Sequence, residues 1–399
     1  MPGSGGSRRV GGPVVRDILK RAGKQVLPPR LYDIAATWAS SREQGRLKLK
    51  ALLLEYPVAT LGLVLPWLYP GFLSIALTTR CNLRCFICRR ENHVGENLPF
   101  ENLSRLAPAI RNARTIDLTG WGECFVYPRF QDVVRYIYSL NRRESLIQIT
   151  TNGTLLTGET AALLGPGLRT LIVSLNAATP ETYNRDMKFG EFGSTLRHIR
   201  EFMAALPVED RGKVQLHFVA HAGNYPEIPD FVLLARDLGI GTVTIGQYLV
   251  DLREHVPYAL LSVREEYNDV VRRARELAAN TGVAFHAPRF FEKGAVPPAS
   301  ECLDPVNACY VEVDGQVGPC CFCGSYRIGN VYKEGFHAIW FGREYRRLRR
   351  KRYLPACRVC TPHLPLDDPG AHHTAYFKER ERFREESTPE RTGKGGTDG

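Results

Sequence analysis

Three cysteines, Cys81, Cys85 and Cys88, fall within eight positions of the stretch TTRCNLRCFICRR (78–90). Thiolates are the natural ligands of zinc and of iron–sulfur clusters. Gaps of three and two residues let one short loop bring three of them around one inorganic core. A structural zinc site closes its tetrahedron with a fourth ligand, whereas an iron–sulfur cube on three protein thiolates leaves one iron free to bind a further molecule. Seven more cysteines come late in the chain: Cys302, Cys309, Cys320, Cys321, Cys323, Cys357 and Cys360. Cys124 stands apart from both groups. Eleven thiols are too many for incidental packing and, as an odd number, fit a disulfide framework poorly. The start, MPGSGGSRRVGGPVVRD, has no apolar stretch before a cleavage site, so reduced thiols serving metal in the cytoplasm are expected.

The elements that must position these thiols show as a rhythm that begins at Phe72. Strand-like apolar runs occur at FLSIALTT, TIDLTG, LIQITTN, LRTLIVSLN, KVQLHFVAH and TVTIGQYLV. Amphipathic helical stretches separate them, and a sixth helix, REEYNDVVRRARELAAN, follows the last. Six strand–helix units with right-handed crossovers predict an α/β fold: a partial (β/α)6 TIM-like barrel with functional groups at the C-terminal strand ends. The first thiol triplet then lies in the loop after strand one, and Cys124 lies just after strand two. Residues 1–71 read as an extended tail followed by a helical N-terminal segment. The barrel is expected over 72–290, a small Cys-rich extension over 291–366, and a charged, disordered tail over 367–399. In the extension, ACYVEVDGQVGPCC reads as a hairpin with a type I′ turn at Asp314-Gly315.

A chain of 399 residues, 44% apolar, can bury a barrel-sized core plus a small second domain. The net charge of +11 suits an anionic substrate, a nucleic acid or a membrane surface, and charge alone does not choose among them. The basic run REYRRLRRKR (343–352) reads as a solvated helix face, and no aromatic-interleaved module points to nucleic acid. The uncharged stretch 57–78 is long enough to span a bilayer, yet Pro66 and Pro70 interrupt it and FLSIALT reads as a buried strand. Peripheral membrane contact by RLKLKALLLEY (46–56) fits better than a span, and a helix packed on the core fits better still.

At the triplet the sequence resembles the radical S-adenosylmethionine (SAM) superfamily, whose motif is Cys-x3-Cys-x2-Cys after strand one of a partial α/β barrel. The residue before the last cysteine is usually aromatic there; this chain has Ile87, with Phe86 one place earlier. The resemblance implies a 4Fe-4S cluster on Cys81, Cys85 and Cys88 with SAM at its open iron. Gly120, Gly122 and Glu123 of TGWGE match the element that holds the methionine amino group: glycines admit backbone carbonyls to an ammonium and a carboxylate complements it. Asn152 of TTNGTLL, and Ser174 and Asn176 of VSLNAATPETYN, fall where further cofactor contacts are implied. Arg185, Met187 and Lys188 follow in what reads as a solvent-exposed loop.

The late cysteines resemble the SPASM/twitch extension of the same superfamily: a cysteine, a hairpin ending in Cys-Cys, a Gly-Asn before a helix containing Ile-Trp, and a closing Cys-x2-Cys. Cys302, Cys320, Cys357 and Cys360 match its single-cluster form and are implied ligands of an auxiliary 4Fe-4S cluster. Cys309, Cys321 and Cys323 are left over, so the number of clusters stays open. A zinc ribbon uses similar spacing, and only the first triplet tips the reading to iron–sulfur. The family implies an oxidoreductase that cleaves SAM to an adenosyl radical, supplied by a reducing donor such as a flavodoxin or ferredoxin. Residues 1–71 lack the strands of a peptide-binding domain, which favours oxidation of a small molecule, a sugar or aminocyclitol. Epimerisation of such a molecule, with Cys124 as hydrogen donor, and maturation of a ribosomal peptide are the alternatives. A zinc-bearing nucleic-acid binder is a distant one.

Overall fold

The computed structural model describes residues 68–88, 95–248, 253–288, 304–320 and 326–351, and Tyr69–Gly399 form one compact unit. The expected N-terminal helical segment and its basic stretch, the C-terminal tail, and Cys302, Cys321, Cys323, Cys357 and Cys360 lie outside the described residues.

Strand β1 (Phe72–Ile75) leads into a loop that carries the short β2 (Arg84–Cys85). Helix α1 (Ala107–Asn112) crosses to β3 (Thr115–Asp117), α2 (Phe130–Leu140) to β4 (Ile147–Thr151), and α3 (Gly158–Leu164) to β5 (Leu168–Ser174). Then α4 (Pro180–Asp186), β6 (Met187–Lys188) and α5 (Phe192–Ala205) precede β7 (Val214–Ala220). Helix α6 (Ile228–Asp237) leads to β8 (Thr242–Gln247), and α7 (Arg264–Thr281) to β9 (Ala284–His286). The chain goes on through α8 (Asp304–Asn307), β10 (Ala308–Val311), β11 (Gln316–Gly318) and β12 (Gly329–Asn330). It is described as far as α9 (Val331–Glu334), α10 (Phe336–Trp340) and α11 (Arg343–Lys351).

Ten strands make one sheet in the order β12-β11-β10-β1-β3-β4-β5-β7-β8-β9. Every pair from β10 to β9 is parallel, while β11 and β12 add antiparallel. The sheet is open, so the architecture is the expected partial barrel. All six expected strands form. A seventh, β9, extends the far edge, and β10, in the expected Cys-rich extension, pairs parallel with β1. The hairpin turn differs from type I′. Among the described residues Asp314 is not in the left-handed region but Gly315 is, at φ +82°, and Gly315 N–H donates to Glu312 O while Glu312 N–H donates to Gln316 O. That is the three-residue loop in which glycine completes a bulge.

The two sheet faces explain what the strands are for. Leu171, Val173, Leu216, Phe218, Val243 and Ile245 are buried on one face, each worth roughly 1.5–3 kcal/mol of burial. The alternate residues of β4, β5, β7 and β8 are only half-buried on the inner face. That face carries Gln148, Thr150, Ser174, Gln215, His217 and Thr244, with the apolar Ile172 and Val219 among them. Parallel strands are usually apolar on both faces; here the concave side is mostly polar and open.

The segment after β5 corrects a sequence expectation. It is not a solvated loop: Thr179 caps α4 through Thr182 N–H, Pro180 takes the first turn, and Met187 is buried. Strand β6 pairs antiparallel with β2, Cys85 opposite Met187. The basic helix α11 also departs from expectation, since Tyr345, Leu348 and Arg349 are all buried.

Candidate cluster and cofactor site

The thiol triplet sits where β1 hands the chain to the C-terminal end of the sheet. Cys81, Cys85 and Cys88 are each partly exposed. The β2–β6 ladder holds the middle of their loop, and Phe86 N–H donates to Asp186 O at 2.8 Å. Cys88 N–H donates to Cys85 O at 3.2 Å, closing the turn between the last two thiols. Cys81 Sγ receives Leu83 N–H at 3.4 Å and Asn152 Nδ2–H at 3.9 Å. Burial pushes the Cys81 thiol up, and those donors oppose the shift. Among the described residues no three cysteine, histidine or acidic side chains converge closely enough for a single ion. Three accessible thiols on one pinned loop, one already taking N–H donors at sulfur, are a fitting donor set for a larger core.

The loop after β3 packs against the backbone that leads into the triplet. A Cβ on Gly122 would lie 2.2 Å from Arg80 O and 2.7 Å from Thr78 O. Glu123 N–H donates to Arg80 O at 2.8 Å. The glycine is therefore required by contact with protein backbone, whatever else its carbonyl does. Gly120 is less confined, its Cβ meeting Ala76 Cβ at 3.0 Å. Glu123 is buried, and its carboxylate accepts Thr151 Oγ1–H at 2.9 Å, Asn152 N–H at 2.8 Å and Phe125 N–H at 3.3 Å. Burial pushes its pKa up against those bonds. Glu123 thus ties the loop after β3 to the end of β4. Burial raises the Glu312 pKa and the nearby Trp121 side chain opposes the rise, which sets this loop beside the hairpin.

Asn152 joins the site through the cluster loop: Nδ2 donates to Asn82 Oδ1 at 2.9 Å, and Oδ1 accepts from Thr154. Asn176 is buried in the left-handed region at φ +59°, which asparagine tolerates. Its Oδ1 accepts Val219 N–H at 2.9 Å and its Nδ2 faces Met187 Sδ at 3.5 Å. It pins β5 to β7 and to β6. Ser174, half-buried on the inner face, lies across from His217 in register. Cys124 is buried, its thiol 3.7 Å from Glu123 Oε1, and burial raises its pKa well above the ordinary value.

Several residues at the strand ends were not singled out from sequence. His221 Nδ1 accepts Gly223 N–H at 3.0 Å, so Nε2 bears the proton shared with Asp186 Oδ2 at 3.1 Å. Burial pushes Asp186 up, but Arg185 and His221 outweigh it and its pKa is lowered. Phe86 packs against His255, Tyr258 and His221 at 4.7, 4.5 and 5.3 Å between ring centroids. Burial lowers the His217 pKa, so the imidazole is neutral. A polar residue ending an apolar strand, as in KVQLHFVAH, was the available signal. Of the late thiols, Cys309 is fully buried, pushed up to about 12 by burial, and Cys320 is partly exposed.

A pinned thiol triplet at the C-terminal end of an open parallel half-barrel defines a cluster-binding α/β protein. Residues 75–235 match the family model of the Radical SAM superfamily, and residues 302–361 match that of SPASM, an iron–sulfur cluster-binding domain. The chain belongs to the radical SAM superfamily and carries a SPASM domain. Its cofactors are SAM, a 4Fe-4S cluster and an auxiliary cluster. It is 28% identical over 172 residues to the probable GTP 3′,8-cyclase of Methanocaldococcus jannaschii, a span covering 42% of this chain and 55% of that protein. It is 26% identical over 323 residues to the tungsten-containing aldehyde ferredoxin oxidoreductase cofactor-modifying protein of Pyrococcus furiosus, covering 73% of this chain and 87% of that one. Its fold is similar to the crystal structure of Streptococcus suis SuiB bound to precursor peptide SuiA: TM-score 0.55, 17% identity, covering 70% of this chain and 67% of that chain. No described helix is long and apolar enough to cross a membrane.

Proposed function

We propose that this protein oxidises a carbon of a polar, hydroxyl-bearing small molecule, a sugar or aminocyclitol, held on the inner face of the half-barrel. Bound at Cys81, Cys85 and Cys88, the cluster and SAM supply one-electron cleavage of the sulfonium and an adenosyl radical that takes a hydrogen atom from the substrate. Asn152 and Asn82 hold the first thiol in place. Glu123 fixes the Gly120–Gly122 loop against Arg80, at the methionine end of SAM. Ser174 and Asn176 stand at the next strand end as further cofactor contacts. His217, neutral and beside Ser174, can accept the hydroxyl proton as the carbonyl forms. Cys302, Cys320, Cys357 and Cys360, within the segment 291–366, would hold an auxiliary cluster, which would supply an acceptor for the substrate's remaining electron.

The observation that carries this reading is the mostly polar inner face from Gln148 to Thr244, which suits a ligand dense in hydroxyl groups. The names of the M. jannaschii and P. furiosus relatives, a nucleotide cyclase and a cofactor-modifying protein, lean the same way. The burial of Cys124 and its contact with Glu123 weigh against a hydrogen donor, hence against epimerisation.

The test is to incubate anaerobically reconstituted protein with SAM, a reductant and a fractionated small-molecule extract in heavy water. A polar metabolite converted to a product two hydrogens lighter, with matching 5′-deoxyadenosine, is expected. A product carrying one solvent deuterium at an inverted carbon would make the enzyme an epimerase. Turnover only with peptides would replace the small-molecule reading.

A further inference from the structure

The polar groups buried behind the thiol loop form one connected set. Asp186 and His221 are both buried. The Asp186 carboxylate accepts Arg185 Nε–H at 2.8 Å, Arg185 Nη2–H at 2.9 Å and His221 Nε2–H at 3.1 Å. Arg185 Nη2 also donates to Gly223 O at 3.0 Å. His221 is held in turn: its Nδ1 accepts Gly223 N–H, and its own N–H donates to Asn224 Oδ1 at 2.7 Å. Asn224, buried as well, donates to Asn176 O and to Val219 O, each at 3.1 Å. Every side-chain polar atom of Asp186, His221 and Asn224 therefore has a partner.

This set meets the thiol triplet at its middle. Phe86 lies between Cys85 and Cys88, and its N–H donates to Asp186 O at 2.8 Å. Its ring packs edge-on against the His221 imidazole, 5.3 Å between centroids. Cys85 itself pairs with Met187, the residue after Asp186. Burying a carboxylate and an imidazole costs desolvation that apolar side chains of the same volume would avoid. What a fully satisfied polar network supplies instead is one fixed arrangement, because any shift breaks several bonds at once in a buried place. The Arg185 guanidinium balances the Asp186 carboxylate, so the loop is fixed without an unpaired charge beside it.

We propose that Arg185, Asp186 and His221 are positioning residues for SAM: through the backbone and ring of Phe86 they set the Cys85–Cys88 turn, and so the direction in which a cluster on the triplet presents its open iron. The inference rests on the assignment of that cluster to Cys81, Cys85 and Cys88. It goes beyond the residues matched to the family, since none of the three touches the cofactor in this role.

The experiment measures SAM affinity of the anaerobically reconstituted full-length protein by calorimetry, with its iron content and the EPR spectrum of the reduced protein with and without SAM. His221→Gln keeps a donor at the Nε2 position that faces Asp186, whereas His221→Asn keeps only an acceptor at the Nδ1 position that faces Gly223. His221→Asn should bind SAM about tenfold more weakly per loaded cluster, at the lower end of what residues behind metal ligands control, and His221→Gln should lose much less. The EPR change on adding SAM should be altered in His221→Asn and preserved in His221→Gln. Arg185→Met, at a side chain half exposed to solvent, should weaken SAM binding in the same direction, and Arg185→Lys should recover part of the loss. A merely structural role would lower iron content alike in His221→Asn and His221→Gln and leave SAM affinity per loaded cluster unchanged, which overturns the proposal. Wild-type affinity in both His221→Asn and Arg185→Met overturns it too. If His221→Asn does not fold, Arg185→Met decides alone, and wild-type affinity there refutes the positioning role. Wild-type protein whose EPR spectrum does not respond to SAM overturns the cluster assignment along with it.

Discussion

Gly122→Ala is the most informative single change to the cofactor site. The added methyl would sit 2.2 Å from Arg80 O, where 3.4 Å is ordinary contact, so the Arg80 carbonyl must retreat by about 1.2 Å. Because the obstacles are backbone atoms, no side-chain rotation relieves them. Overpacking of this kind costs about 1–3 kcal/mol. The retreat also breaks the Glu123 N–H to Arg80 O bond, worth about 1 kcal/mol. The total, about 2–4 kcal/mol, is less than the usual stability of a domain, so the variant should fold. Arg80 directly precedes Cys81, so the strain falls on the first cluster ligand. Urea unfolding should show the loss, and reconstituted variant should bind SAM at least tenfold more weakly by calorimetry. Gly212→Ala is the control, with nothing within 4 Å of the new methyl, and should change stability by no more than about 0.5 kcal/mol. Gly122→Ala matching Gly212→Ala in both assays would refute the packing argument.

Glu123→Gln should cost about 1–3 kcal/mol of stability, because an amide NH2 must then face a buried donor; unchanged urea unfolding would remove the anchoring role. Asp117 accepts from Ser74 and Thr119, and burial pushes its carboxyl up to about 6. With the folded value raised, the stability it contributes is full below the unfolded pKa and is lost as pH rises through about 6. Between about pH 5 and about pH 7.5 the loss is about 1.4 kcal/mol. Asp117→Asn should flatten that slope in urea titrations of the apoprotein, and an unchanged slope would show that another group titrates.

The barrel was legible because each of its six strands is an apolar-rich, strand-like run and each crossover helix an amphipathic one. Strand β9 escaped because it is three residues long with both ends exposed. The pairing of β10 with β1 joins residues far apart in sequence and leaves no periodic trace. Helix α4 has its cap and proline in plain view, yet seven residues give no apolar repeat to detect. Charge misled at Arg349: the basic run suggested solvent, while Tyr345, Leu348 and Arg349 at helical spacing mark one buried face. At the site, the spacing of the cysteine triplet stood out in the sequence, and Gly120 and Gly122 came from the resemblance to the family. What Asn152, Asn176 and Glu123 bind was not, since their partners lie on other strands.

The central claim is that the triplet supports SAM chemistry, and one measurement reaches it directly. Wild type and the variants Cys81→Ala, Cys85→Ala and Cys88→Ala are reconstituted anaerobically, reduced, and assayed for 5′-deoxyadenosine formed from SAM. The account predicts steady release by the wild type and none by any of the three variants, each retaining the circular dichroism of the folded barrel. Release by any one of those variants at the wild-type rate would contradict it.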